Sequence, residues 1–241
     1  MDRRDISHTL PLMGAGTEFF NSVVESLPDD ALRAPSGLDG WSRAHLIAHV
    51  ARNAEALIRL AEWARTGVEN RMYPNPESRA ADIEATAVND PGTLRRELLT
   101  TAGDLDAALA ALDEKTWEAE VRTAADRPIP ATEVPWMRIR EVWLHSVDLD
   151  AGVAVADLPA EVVDALLDDA APLLGSRAAA GFRLVDSERD MTWAVGLDPA
   201  VEVRGTAAQL CGWLLGRTSG DELTAVADGT PTRLPEPPRW L

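Results

Sequence analysis

Apolar residues recur at helical spacing in four long stretches of the chain before residue 152. Leu10, Met13, Phe20, Val24 and Leu27 predict a helix over 7–27. Leu46, Val50, Leu57, Leu60 and Ala64 predict a second, opened after Trp41 by Ser42 as N-cap and closed by Gly67. Leu94, Leu98, Ala102, Leu105, Leu109 and Leu112 mark a third, and the stretch 136–150 reads as a fourth. The connection over 68–91 is long enough for a lid and contains a short helix, about 77–88. Residues 117–134 read as extended, because Pro128 and Pro130 break any helix there. Four amphipathic helices with polar groups on an inner face predict a bundle whose core can hold a metal.

Near Gly152 the pattern changes. A helix is expected at 159–174, short extended runs at 181–185, 191–195 and 201–204, a helix at 206–217, and a strand at 223–226. Helices mixed with adjacent strands predict a small α+β domain. The expected organisation is therefore a helical bundle over 1–152 and an α+β domain over 153–241, closed by an extended tail docked through Trp240. There is no internal repeat and no low-complexity segment.

The chemistry sits on the inner faces. Glu141 and His145 are four residues apart on the fourth helix, so they share a face about 5–6 Å apart at Cβ. Met137 and Leu149 extend that row, which predicts that the pair points inward. A buried charge needs a partner. Either Glu141 and His145 simply hydrogen-bond to each other, or they are two ligands of a metal site that takes a third from elsewhere. His49, beside Leu46 and Asn53 on the inner side of the second helix, is the natural third. His45 lies four residues before it and competes, but its place in the first turn, nearer solvent, makes it the weaker ligand. Two His and one Glu form a common catalytic zinc set with positions left for water or substrate.

Other residues carry two readings each. Asp148 either orients a ligand or makes an ordinary hydrogen bond at a helix end. Tyr73 lines a site mouth or packs. Arg217, at the end of its helix, is a capping charge or a fork for a substrate carboxylate. Asn53, Arg138 and Arg140 are further candidates for lining the site. Cys211, between Leu210 and Trp213, is a poor nucleophile because buried cysteines are usually inert.

Charge narrows the function classes. Lys+Arg number 23 against 40 Asp+Glu, a formal −17, which argues against nucleic-acid backbones and anionic membrane surfaces. No apolar run approaches the roughly 20 residues that span a bilayer, and Met-Asp-Arg-Arg-Asp leads into no signal-peptide core. One cysteine excludes an internal disulfide, and the cytoplasm is the expected compartment. With one thiol and four histidines (His8, His45, His49 and His145), a Cys-rich zinc site is excluded too.

Four stretches carry a family resemblance: GWSRAHLIAHV at 40–50, MYPNPESR at 72–79, WMRIREVWLHSVDL at 136–149 and PEPPRWL at 235–241. In these the chain resembles the mycothiol-dependent maleylpyruvate isomerases, within the DinB-like superfamily of metal-dependent hydrolases and thiol transferases. The resemblance spans essentially the whole chain. It implies a DinB-like four-helix bundle followed by a sterol-carrier-like α+β domain. It implies zinc held by His49, Glu141 and His145, choosing His49 over His45, and mycothiol as the thiol. It also implies that Arg217 matches an arginine the family needs for activity. The implied reaction converts 3-maleylpyruvate to 3-fumarylpyruvate in the gentisate route of aromatic breakdown. The expected partners are small molecules only, with no nucleic acid, no membrane, and a monomeric enzyme. A mycothiol S-transferase, a non-enzymatic zinc-binding module, and a structural zinc with His45 as fourth ligand stand as alternatives.

Overall fold

Contacts divide the chain, in this computed structural model describing residues 1–240, into two compact units: Asp2–Gly152 and one from Val153 onward. The first contains helices α1 (Ile6–Ser26), α2 (Arg43–Thr66), α3 (Pro76–Ala87), α4 (Pro91–Ala110), the single turn α5 (Glu114–Trp117) and α6 (Val134–Asp148). Strands β1 (Glu120–Arg122) and β2 (Pro128–Pro130) form an antiparallel hairpin before α6. The helices start where sequence chemistry places them. Asp5, Ser42, Asn75 and Asp90 each accept a backbone N–H as N-cap. Pro76 and Pro91 occupy first-turn positions, where a missing N–H costs nothing. Gly67, at φ 72°, ends α2 in the left-handed conformation that glycine adopts freely.

The long helices α1, α2, α4 and α6 form the bundle. α1 packs on α6 and α4, and α2 packs on α4 and α6. Its core includes Phe20, Leu46, Leu57, Leu60, Leu98, Leu105, Ile139 and Val142, all at most 1% exposed. On α6 the inner face differs from the predicted row. Leu149 is buried but Met137 is only half-buried, and Arg138, His145, Ser146 and Asp148 are the buried polar residues. A 3.6-residue turn alternates steps of three and four, so the polar row runs 138, 141, 145, 148 rather than in steps of four alone.

Close packing of α6 on α1 depends on Gly16. A Cβ there would lie 2.5 Å from Trp143 Nε1 and 2.7 Å from Val142 Cγ2. Trp143 donates its indole N–H to Leu12 O at 3.3 Å and stacks on Phe19. Gly16→Ala is therefore expected to destabilise the protein by about 1–3 kcal/mol, since an overpacked helix contact forces backbone or rotamer shifts. Denaturant melts of the two proteins would measure it.

The second unit contains α7 (Ala160–Gly175), β3 (Phe182–Asp186), β4 (Thr192–Val195), β5 (Val201–Gly205), α8 (Ala207–Leu214), β6 (Thr224–Ala227) and β7 (Thr230–Thr232). The sheet order is β4-β3-β5-β6-β7, with β3 and β5 parallel and the other pairs antiparallel. Alternate residues Phe182, Leu184, Trp193, Val195 and Val203 are buried, while Arg183, Thr192, Ala194 and Arg204 are exposed. α7 packs against β4 and α8, and α8 also packs against β3 and β5. The helix predicted over 206–217 stops earlier, at Leu214, because Gly216 takes φ 75° and turns the chain. β7 has no counterpart in the hydrophobic pattern, since all three of its residues are exposed. The closing run through Trp240 has no regular secondary structure, and Leu241, the last residue of that motif, lies outside the described residues.

Candidate metal centre

His49 and His145 come from two different bundle helices and meet at one carboxylate. His49 sits in the second turn of α2 and is 5% exposed. His145 sits near the end of α6 and is 8% exposed. Glu141 Oε2 lies 2.8 Å from His49 Nε2 and 3.2 Å from His145 Nε2. The imidazole centroids are 4.9 Å apart at near right angles, and the Trp41 ring packs edge-on 5.5 Å from His49.

The proton positions follow from the partners. Arg79 Nη2, on α3, donates to His49 Nδ1 at 3.1 Å, because a guanidinium only donates. His49 therefore carries its proton on Nε2 and donates it to Glu141. Burial lowers the His49 pKa against the pull of Glu141, which keeps that ring neutral. His145 is the opposite case. Burial opposes its charge, but hydrogen bonds to Asp148 and Glu141 outweigh it and raise the pKa to about 9. Both of its N–H groups then donate, Nδ1 to Asp148 Oδ2 at 2.8 Å and Nε2 to Glu141. Burial disfavours charge on Glu141 as well, yet the two histidines hold its pKa well below the ordinary carboxylate value.

Such a cluster fits a metal ion. One ligand atom from each of the three side chains lies within 4.8 Å of the others. Donors sharing one tetrahedral zinc at about 2.0–2.1 Å stand about 3.3 Å apart, which these side chains approach without rearranging the helices. His145 already has the orientation a metal needs, with Asp148 holding Nδ1–H and Nε2 turned inward, so that loss of the Nε2 proton leaves the ligating tautomer. His45 does not join them. Its Nδ1 meets Ser42 Oγ at 2.6 Å in a capping box, and its Nε2 faces Glu84 at 3.2 Å. Asp148, 2% exposed, takes the orienting position, and Asn53, 4% exposed, accepts from the buried Arg138. Arg140 and Tyr73 are half-buried, with the Arg79 guanidinium 5.7 Å from the Tyr73 ring. Arg217 belongs to the second unit, just past α8. Cys211 is fully buried, and burial pushes its thiol up to about 12, which leaves it inert.

Sequence reasoning missed Arg79. The signal was present: Asn75-Pro76 opens a helix, and the residue four after an N-cap completes its first turn. Nothing in the spacing said that this turn faces His49.

Metal uptake must displace the extra proton on His145. Its raised pKa stabilises the metal-free fold fully below the ordinary value of 6.5, and that stability is lost as pH rises through about 9. Apparent zinc affinity is therefore expected to rise about tenfold per pH unit across this window and level off above it. Asp148→Asn removes the main partner of the charged ring. It is expected to move the window to lower pH and to weaken zinc about 10–100-fold at its plateau. Zinc titrations against a competing chelator between pH 6.5 and 9.5 would check both.

Comparisons with known proteins converge on one group. A family model described as the mycothiol maleylpyruvate isomerase N-terminal domain matches residues 13–150, and the C-terminal domain model of the same family matches 157–236. Two solved structures are similar to this chain, a mycothiol-dependent maleylpyruvate isomerase and an alanine mutant of a mycothiol-dependent maleylpyruvate isomerase. Each is 36% identical, with TM-score 0.90, over 98% of this chain and 97% of its own. No curated protein sequence gives a match.

Proposed function

The chain belongs to the mycothiol maleylpyruvate isomerase family, and from that premise we propose that it is a zinc- and mycothiol-dependent isomerase converting 3-maleylpyruvate to 3-fumarylpyruvate. One observation carries the reading: two imidazoles and a carboxylate from two helices converge in the bundle core, one ligand atom of each within 4.8 Å of the others. His49, Glu141 and His145 are the ligands of the ion, and three protein donors leave a coordination position open. A zinc ion there supplies a means of stripping the proton from a thiol at neutral pH.

The reaction then follows from bonding. A carbon–carbon double bond does not rotate. Mycothiol would supply a thiolate whose reversible addition to one alkene carbon makes that bond single, the electron pair of the double bond being held as an enolate. Rotation would then be free, and loss of the same thiolate would restore the double bond in the trans form and return the thiol unchanged. Arg217 supplies the cation for this dianionic substrate, either at the developing enolate oxygen or as a fork for a carboxylate. A protein of formal charge −17 needs such local cations to accept a dianion. Asp148 keeps His145 in the ligating tautomer throughout.

Among the described residues no helix is long and apolar enough to cross a membrane. The proposed enzyme works in the cytoplasm, as a monomer, on small molecules. The test is an assay of zinc-loaded protein with maleylpyruvate, with and without mycothiol. The isomerase reading predicts many turnovers per mycothiol and an unchanged thiol concentration. Thiol consumed in proportion to product identifies an S-transferase instead, and no turnover with zinc bound identifies a binding module.

A further inference from the structure

The geometry points to Arg138 as a second anion-binding group, which receives a substrate carboxylate one helical turn from Glu141. Arg138 is 1% exposed, one of the largest fully buried side chains in the protein. It lies three residues before Glu141 on α6, as Asn53 lies four after His49 on α2, so the two rungs bridge the same two helices. Nη1 is fully used: it donates to Val50 O at 2.6 Å and Asn53 Oδ1 at 2.9 Å. Nε and Nη2 are buried and have no hydrogen-bond partner. Those two N–H groups lie along one edge of the guanidinium and point the same way, which is the fork that takes both oxygens of one carboxylate.

Leaving such a fork bare is costly, because each orphaned buried donor forfeits its hydration. The cost is clearest in this chain, where 40 acidic side chains are available and none closes the fork. Asn53 holds the guanidinium by its other edge, which fixes the direction of the unpaired one. The electrostatic neighbours of Arg138 are Glu141, Asp106 and Tyr73. Tyr73 in turn lies with its ring 5.7 Å from the guanidinium of Arg79, the arginine that touches His49. The fork therefore belongs to the same polar cluster as the candidate metal ligands and is not an isolated core defect. A water-bridged link to Asp106 is the competing use of the same donors.

This assignment rests on the isomerase reading for its substrate, but not for its test. Maleate is a cis dicarboxylate that cannot turn over without mycothiol. Its dissociation constant is measured by calorimetry on the zinc-loaded full chain, for the natural protein, Arg138→Met and Arg138→Lys. Met is expected to weaken maleate by about tenfold or more, and Lys by less, because Lys keeps the charge and loses the fork. Zinc stoichiometry should stay at its natural value in both. A crystal of the natural protein soaked in maleate should place one carboxylate on Nε and Nη2. That readout decides the matter even if the Met variant fails to fold. Unchanged maleate affinity in either folded variant, or a water joining Nε to Asp106 in the soaked crystal, overturns the proposal. Maleate binding that needs Arg138 in a protein without isomerase activity would remove the isomerase reading and leave the anion site standing.

Discussion

Glu141→Gln is expected to weaken zinc binding about a thousandfold. Glu141 is the only carboxylate between the two imidazoles, and Oε2 faces both Nε2 atoms, at 2.8 and 3.2 Å. Zinc sites bind with roughly 12 kcal/mol, so losing one of three charged or neutral donors removes about 4 kcal/mol, or about three decades of affinity. Glutamine keeps the size and one acceptor oxygen, so the bundle stays folded. The imidazolium of His145 loses one of its two anionic partners, and its pKa falls from about 9 toward the ordinary value. The metal-free variant should then lose part of the stability that His145 contributes near neutral pH, together with the stability that the low-pKa carboxylate contributes above its ordinary value, and the deficit should shrink in acid, where the natural protein loses that carboxylate contribution too. Competition with a chromophoric chelator measures the first effect. A variant that binds zinc within about tenfold of the natural protein would mean the carboxylate is only a hydrogen-bond partner of the histidines.

Arg217→Ala should lower kcat/KM for maleylpyruvate about 10²–10³-fold while leaving zinc affinity unchanged. The backbone at this position is fixed independently of the side chain. Gly216 N–H donates to Trp213 O and Arg217 N–H donates to Gly212 O at 2.7 Å, the paired bonds that close a helix on a left-handed glycine. Arg217 Nη1 donates to Leu215 O at 2.5 Å. Substitution therefore leaves the turn intact and stability close to natural, which separates a chemical loss from a folding loss. Arg217→Lys should recover little, because an ammonium does not reproduce a planar fork. A fall of less than about threefold in the Ala variant would return Arg217 to the role of a helix-end cation.

Much of the site was legible because helical periodicity and ligand chemistry speak the same language. Glu141 and His145 at four-residue spacing, and His49 on the apolar side of another helix, are side chains whose faces are set by local geometry alone. The choice against His45 was legible too, since a first-turn position next to a Ser N-cap offers the capping box it forms. What depends on tertiary approach was not. Arg79 reaches His49 only because the 68–75 connection returns α3 to the start of α2, and no periodicity encodes that return. The bare fork of Arg138 is likewise invisible in sequence, where a buried arginine and a surface one look alike. In the second unit the early end of α8 follows from one glycine at φ 75°, a backbone choice that the apolar pattern of its helix does not record. The exposed β7 strand is held by pairing with β6 and leaves no hydrophobic trace.

X-ray absorption at the zinc edge, recorded before and after adding mycothiol, tests the central claim most directly. Three protein donors with an open position predict a shell of nitrogen and oxygen at about 2.0–2.1 Å, joined on addition by a single sulfur at about 2.3 Å. A spectrum that mycothiol leaves unchanged, or a zinc already closed by four protein ligands, would contradict it.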